Sequence, residues 1–140
     1  PPCRAMEPEI EPLILDLLKT KKINLAFIDT PFYRYSSLYA RYYLYAVNEK
    51  REIGHALEVR NILIGGAAKN IGEPAQIEKL LADKGIKIKP FDPRPMFELY
   101  GKALKEDDVK ATPTCVVQHS SKKEKATGKA DIIKLLKTLK

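Results

Sequence analysis

The chain opens Pro1-Pro2-Cys3-Arg4-Ala5-Met6-Glu7-Pro8, and this stretch decides the fold that the sequence predicts. Two prolines suit the start of a helix, because the N–H that proline lacks would have no intrahelical partner there. A Pro-Pro-Cys sequence directly before an amphipathic helix is typical of the second half of a Cys-Pro-Pro-Cys redox motif. We therefore expect a cysteine immediately before Pro1, outside the sequence.

The first helix is predicted to run from at or just before Cys3 to about Lys19. Its apolar residues recur at intervals of three and four and so lie on one helical face: Ile10, Leu13, Ile14, Leu17 and Leu18. Pro8 and Pro12 lie inside this helix, and an internal proline removes a backbone hydrogen bond, so we expect a bend near Pro8.

The rest of the chain predicts one strand, a long helical block and a hairpin before a last helix. Residues 23–28 are mostly apolar without strict alternation, which favours a strand covered on both faces. Helical periodicity extends from Ser36-Ser37, a plausible N-cap, to Gly65-Gly66, and returns at 74–84 and 96–104. Residues 86–89 are too few to classify. Residues 114–118 and 124–127 predict a hairpin, with a final helix after Gly128.

Composition indicates a soluble globular domain. The 140 residues are 44% hydrophobic and 31% charged, which is unlike a disordered chain. No apolar run approaches the roughly 20 residues that span a bilayer. Two cysteines are too few for a disulfide framework.

The net charge of +7 is concentrated at the C-terminal end, where seven lysines stand against two acidic residues from Ser120 onward. A basic segment can bind nucleic acid or anionic lipid. This one lacks arginine and aromatic residues for base stacking, so a solvated lysine face is the favoured interpretation and nucleic-acid binding is disfavoured.

Three features together resemble the thioredoxin superfamily, namely Pro-Pro-Cys with a proline five residues later, Thr112-Pro113-Thr114 before an apolar strand, and the final helix. The helical block is similar to that of the bacterial disulfide oxidoreductases of the DsbA and DsbC/DsbG type. The resemblance implies an α/β, thioredoxin-like fold in a single domain, 1–140. Its helical insertion would span about 32–108, and the family's first strand would precede Pro1.

The resemblance also implies roles for individual residues. Cys3 would be the resolving cysteine, with Pro1 and Pro2 as the two residues between the motif cysteines. Pro113 would be the cis-proline, and Thr112 would present a backbone edge that pairs with an extended substrate. The upstream cysteine, as a thiolate at a helix N-terminus, would attack substrate disulfides. No cofactor or metal is implied.

The function expected on this resemblance is thiol–disulfide oxidoreductase, acting on protein or peptide thiols and disulfides and exchanging electrons with a membrane or soluble redox partner. Whether it is an oxidase, a reductase or an isomerase stays open. A periplasmic or otherwise extracytoplasmic location is expected, with an upstream membrane anchor as an open question. The alternative is a redox-inactive thioredoxin-fold module that binds extended polypeptide, if the residue before Pro1 is not cysteine.

Other chemistry-bearing residues favour structural roles. Cys115 is expected to be a buried core thiol, since two residues along a strand from Pro113 places it about 7 Å further from the motif. His55 and His119 lack the close spacing of metal ligands. The tyrosines of residues 33–45 favour packing over a substrate groove.

Overall fold

A computed structural model describes residues 2–140, with side chains from Cys3 onward. The predicted roles of Pro1 and of the Pro2 side chain therefore lie outside the described residues. Over these residues the chain forms six helices and one two-stranded antiparallel sheet. The fold is thus mixed α and β with helices dominating, as the predicted fold class implies at its coarsest level.

The chain divides into two compact units. The first unit comprises the residues up to Ile28 and Lys102–Lys140, and the second comprises Asp29–Gly101, so the boundary falls within the fifth helix. The bounds are α1 Pro2–Lys19, α2 Ser36–Glu49, α3 Ile53–Ala68, α4 Pro74–Asp83, α5 Arg94–Glu106, β1 Thr114–His119, β2 Lys122–Thr127 and α6 Lys129–Lys137.

The first unit is built on the apolar face of α1 that the sequence predicts. This face packs against β2 and α6 in one core, whose buried members are Met6, Ile10, Ile14, Leu17, Ala126, Ile132 and Leu136. The helix continues through Pro8 and Pro12. It ends at Lys19, and Lys21 just beyond it has a left-handed φ of 57°, which lets the Lys22 N–H reach the Leu17 carbonyl at 2.8 Å.

The hairpin and the last helix are confirmed. β1 pairs with β2 in antiparallel register from Thr114↔Thr127 to His119↔Lys122, so the turn is the two residues 120–121. Gly128, with φ 88°, separates β2 from α6. A left-handed glycine permits this abrupt change of direction at little steric cost.

The strand predicted for residues 23–28 is wrong. In the part of the chain that the structure describes, this segment belongs to no sheet, because the only ladder joins β1 and β2. Its burial alternates, with Ile23 and Leu25 packed on the core and Ile28 40% exposed, so it is not covered on both faces. An extended apolar segment becomes a strand only when a neighbour satisfies its backbone groups.

The second unit carries α2, α3, α4 and the first part of α5. The helical pattern predicted from Ser36 to Gly65 is interrupted at residues 50–52, and α3 then continues through Gly65-Gly66. α4 ends as predicted at Gly85, with φ 72°, where Gly85 and Ile86 donate to the Ala82 and Leu81 carbonyls at 2.9 Å each. Residues 86–89 form neither helix nor strand.

Candidate active site

Cys3 lies in the first turn of α1 and is half-buried. The first N–H groups of a helix have no intrahelical partner, and they carry the positive end of the helix dipole. Cys3 is a free thiol, as is Cys115, and no disulfide joins them. The position of Cys3 is therefore that of a thiol at a helix start, as the sequence predicts.

Glu7 lies one helical turn after Cys3 and is 6% exposed, which makes it the one fully buried charged residue among those the structure describes. Residues four apart on a helix share a face, so the carboxyl lies on the same side of α1 as the thiol. The i, i+4 spacing of Cys3 and Glu7 is visible in the sequence, whereas the burial of Glu7 is visible only in the structure.

The loop before β1 is held by hydrogen bonds on both sides of Pro113. The Thr112–Pro113 peptide bond is cis, the geometry that the resemblance implies, and Pro113 is buried. The Gly128 N–H donates to the Pro113 carbonyl at 2.9 Å. The Thr114 hydroxyl donates to the Ala111 carbonyl at 2.7 Å, closing a turn around the proline.

Cys115 follows this loop in β1, opposite Ala126 on β2. It is half-buried and packs on the core that α1 and α6 share. Burial raises the pKa of the Cys115 thiol, because low polarity disfavours the thiolate. A protonated, partly enclosed thiol is a poor nucleophile, so Cys115 behaves as a packing residue.

The first unit contains both Cys3 and the Thr112-Pro113 loop, to which the sequence assigns site residues. Cys3 is supplied by α1, and Thr112 and Pro113 stand at the entrance to β1. Because α1, β2 and α6 enclose one core, the helix of the cysteine and the hairpin of the proline loop are parts of the same packed body.

Some lysines of the hairpin and of α6 form hydrogen bonds or ion pairs within the first unit. Lys123 donates to the Asp107 carboxylate at 2.7 Å, and Lys125 donates to the main-chain carbonyls of Asp107 and Asp108 at 3.2 and 3.1 Å. Lys129 forms an ion pair with Glu9 on α1. Cations beyond a helix C-terminus stabilise its exposed carbonyls, so Lys123 and Lys125 hold the end of α5 to the hairpin, whereas Lys129 joins α6 to α1.

Each of the two histidines contacts a neighbouring group in the fold. His55 contacts the Ala46 carbonyl at 3.2 Å through Nε2, which ties the start of α3 to the last turn of α2. His119 meets Glu124 across the hairpin at 3.2 Å. Among the described residues, no group of three or more His, Cys, Asp or Glu side chains is arranged to hold a metal ion.

The tyrosines of α2 join the helices of the second unit. The Tyr39 hydroxyl donates to the Ile71 carbonyl at 2.5 Å, and the Tyr42 hydroxyl donates to Glu78 on α4 at 2.6 Å. The Tyr45 ring meets the rings of Tyr42 and Phe91 edge-on, with centroids 5.6 and 5.9 Å apart. These contacts account for the tyrosine-rich sequence through packing.

A polar cleft of about 400 Å³ lies in the second unit, where α2 and α4 end. Its rim carries the acidic Glu49 and Glu58 and the basic Lys84 and Lys87, together with His55. Because the lining carries charges of both signs, its net charge does not indicate a class of ligand.

Comparison of the chain with protein families, with curated proteins and with solved structures gives no match. Within residues 2–140, no helix combines the length and the apolarity required to cross a bilayer.

Proposed function

We propose that the first unit is thioredoxin-like and carries half of the active site of a thiol–disulfide oxidoreductase. The observation that carries the proposal is the position of Cys3 at the start of α1, in the same unit as the hydrogen-bonded Pro113 loop. The order of α1, the hairpin and α6 around one core also supports it. The helices of the second unit would be the insertion.

In the proposed reaction, a cysteine thiolate just before Pro1 attacks one sulfur of a substrate disulfide. The substrate S–S bond breaks, and the other substrate sulfur leaves as a thiol after taking a proton. The Cys3 thiol then loses its proton, and its thiolate attacks the motif cysteine in the mixed disulfide. This releases the second substrate thiol and leaves the Cys-Pro-Pro-Cys pair oxidised. The reverse sequence forms a substrate disulfide.

The proposed substrates are proteins or peptides in extended form, which Thr112 would meet along its backbone by strand addition. A membrane or soluble partner would restore the redox state of the pair. The proposal puts the activity in the periplasm or another extracytoplasmic compartment, since disulfides persist in such oxidising surroundings.

The test uses the full-length protein, in which the residue before Pro1 can be read directly. We expect the wild type to reduce insulin or to oxidise a reduced test peptide. Cys3→Ser should stop turnover and accumulate a mixed disulfide with substrate, because the resolving step is lost. Cys115→Ala is the matched control and should retain turnover, since Cys115 packs on the core.

Two outcomes would reject the proposal. One is a residue other than cysteine before Pro1 with no turnover. The other is undiminished turnover in Cys3→Ser. If turnover is absent while extended peptides still bind, the redox-inactive peptide-binding module is the better description.

A further inference from the structure

A carboxyl group at the beginning of the second unit has an oxygen with no hydrogen-bond donor. Asp29 as a residue is half-buried, but its Oδ2 is inaccessible to solvent and accepts no hydrogen bond. An ionised carboxylate is costly to bury without donors, whereas the neutral acid loses much less on leaving water. The proposed thiol chemistry makes no use of this group.

The groups that act on Asp29 come from three helices of the second unit. Arg60 on α3 is the cation that interacts with it, and its other ionisable neighbours are the phenols Tyr43 on α2 and Tyr100 on α5. Burial raises the pKa of Asp29, and the positive charge of Arg60 offsets only part of this rise.

The two phenols supply no compensating charge. Burial, with a smaller contribution from the Asp29 charge, raises the pKa of both Tyr43 and Tyr100 to about 12. Both therefore stay neutral wherever Asp29 titrates. The protonation state of Asp29 therefore determines the free-energy cost of burying its carboxyl group.

The loop that begins at Asp29 is fixed at its other end. The ring of Tyr35 fills the space that a Cβ at Gly72 would need, and the Tyr33 N–H donates to the Ser36 hydroxyl at 3.1 Å. At the first residue of the loop, Asp29 Oδ2 accepts no hydrogen bond, so a change in the charge of Asp29 can move Asp29 and Thr30 while the contacts of Tyr33 and Tyr35 stay in place.

We propose that Asp29 is a protonation switch in the second unit: the protonated carboxyl keeps Asp29 enclosed beside Tyr43 and Tyr100, and loss of the proton opens Asp29 and the neighbouring Thr30 to water. Water then supplies the donors that Oδ2 lacks in the closed form. The closed form is favoured at low pH and is lost as pH rises through the raised pKa of Asp29.

The experiment is a carboxyl NMR titration of the whole chain, with exchange of the Asp29 and Thr30 amides followed over the same pH range. Asp92 is the internal reference, because it is exposed and its hydrogen bonds from Arg94 lower its pKa. We expect Asp29 to titrate at higher pH than Asp92. Exchange of the Asp29 and Thr30 amides, and the ring signals of Tyr43 and Tyr100, should change with the midpoint of Asp29.

Three variants sharpen the test. Asp29→Asn should remove the pH dependence of loop exchange, and Asp92→Asn should leave it unchanged. Arg60→Gln should move the Asp29 midpoint to higher pH, because it removes the cation that opposes the rise. The proposal is overturned if Asp29 titrates with or below Asp92, or if the loop does not respond across its titration. A lower midpoint in Arg60→Gln would overturn it as well.

Discussion

Truncation of Leu17 tests the core that positions the candidate site. Leu17 on α1 is 0% exposed and belongs to the core that α1 shares with α6. Leu15, two residues away in the same helix, is 38% exposed. Leu→Ala in a closed core costs about 2.7–5 kcal/mol through lost burial and the cavity left behind. At Leu15, which is 38% exposed, the same change should cost about 1–2 kcal/mol, because less apolar surface is buried there.

The two variants share the same residue change and the same helix, so differences of helix propensity cancel between them. We expect urea unfolding, followed by circular dichroism and by amide exchange in β1 and β2, to give a free energy of unfolding for Leu17→Ala at least about 1 kcal/mol below that for Leu15→Ala. Such a loss is a large fraction of the roughly 5–15 kcal/mol that holds a domain folded. Equal losses in the two variants would refute the assignment of Leu17 to a closed core.

Three further predictions concern a helix end, a lysine contact and two phenols. Lys21→Gly should stabilise the chain by up to about 1 kcal/mol in urea unfolding, because φ 57° strains a side chain and suits glycine. Lys125→Met should lower the free energy of unfolding by about 1 kcal/mol, since two carbonyls beyond α5 lose their donor. Tyr43 and Tyr100 should ionise near pH 12 in an absorbance titration. Their unfolded values lie near 10, so stability present below pH 10 should fall as pH rises towards 12.

Each of these has a contrary outcome. Lys22→Gly is the control for Lys21→Gly, and an equal gain in both would contradict the strain at Lys21. If Lys125→Met unfolds like the wild type, the lysine is a solvated surface residue. If all seven tyrosines titrate together near their usual pKa, the burial of Tyr43 and Tyr100 is wrong.

Local patterns were sufficient where neighbours in sequence are also neighbours in space. The spacing of Ile10, Ile14 and Leu17 predicted the buried face of α1. Gly85 predicted the end of α4, since a left-handed residue is needed there. The hairpin followed from its apolar strand, polar turn and return strand.

Local patterns failed where distant contacts decide. Residues 50–52 are good helix formers, yet α2 ends there, and His55 binds back to the last turn of α2. The segment 23–28 is strand-like in composition but has no ladder with β1 or β2. Helix propensity and apolar content are properties of single residues. A strand ladder or a helix–helix contact also needs a partner segment, which the local sequence does not specify.

The sequence by itself determined the amphipathic α1 with Cys3 at its start, the Thr112-Pro113 loop before an apolar strand, and the helical character of the middle of the chain. Only the tertiary structure decided that Glu7 is buried one turn from Cys3 and that Lys125 donates a hydrogen bond just beyond the end of α5. It also decided that Asp29 Oδ2 is buried without a hydrogen-bond donor. The first group follows from spacing along the chain, which backbone geometry converts directly into faces and turns. The second depends on which side chains other elements exclude from water, and burial is a property of the packed whole.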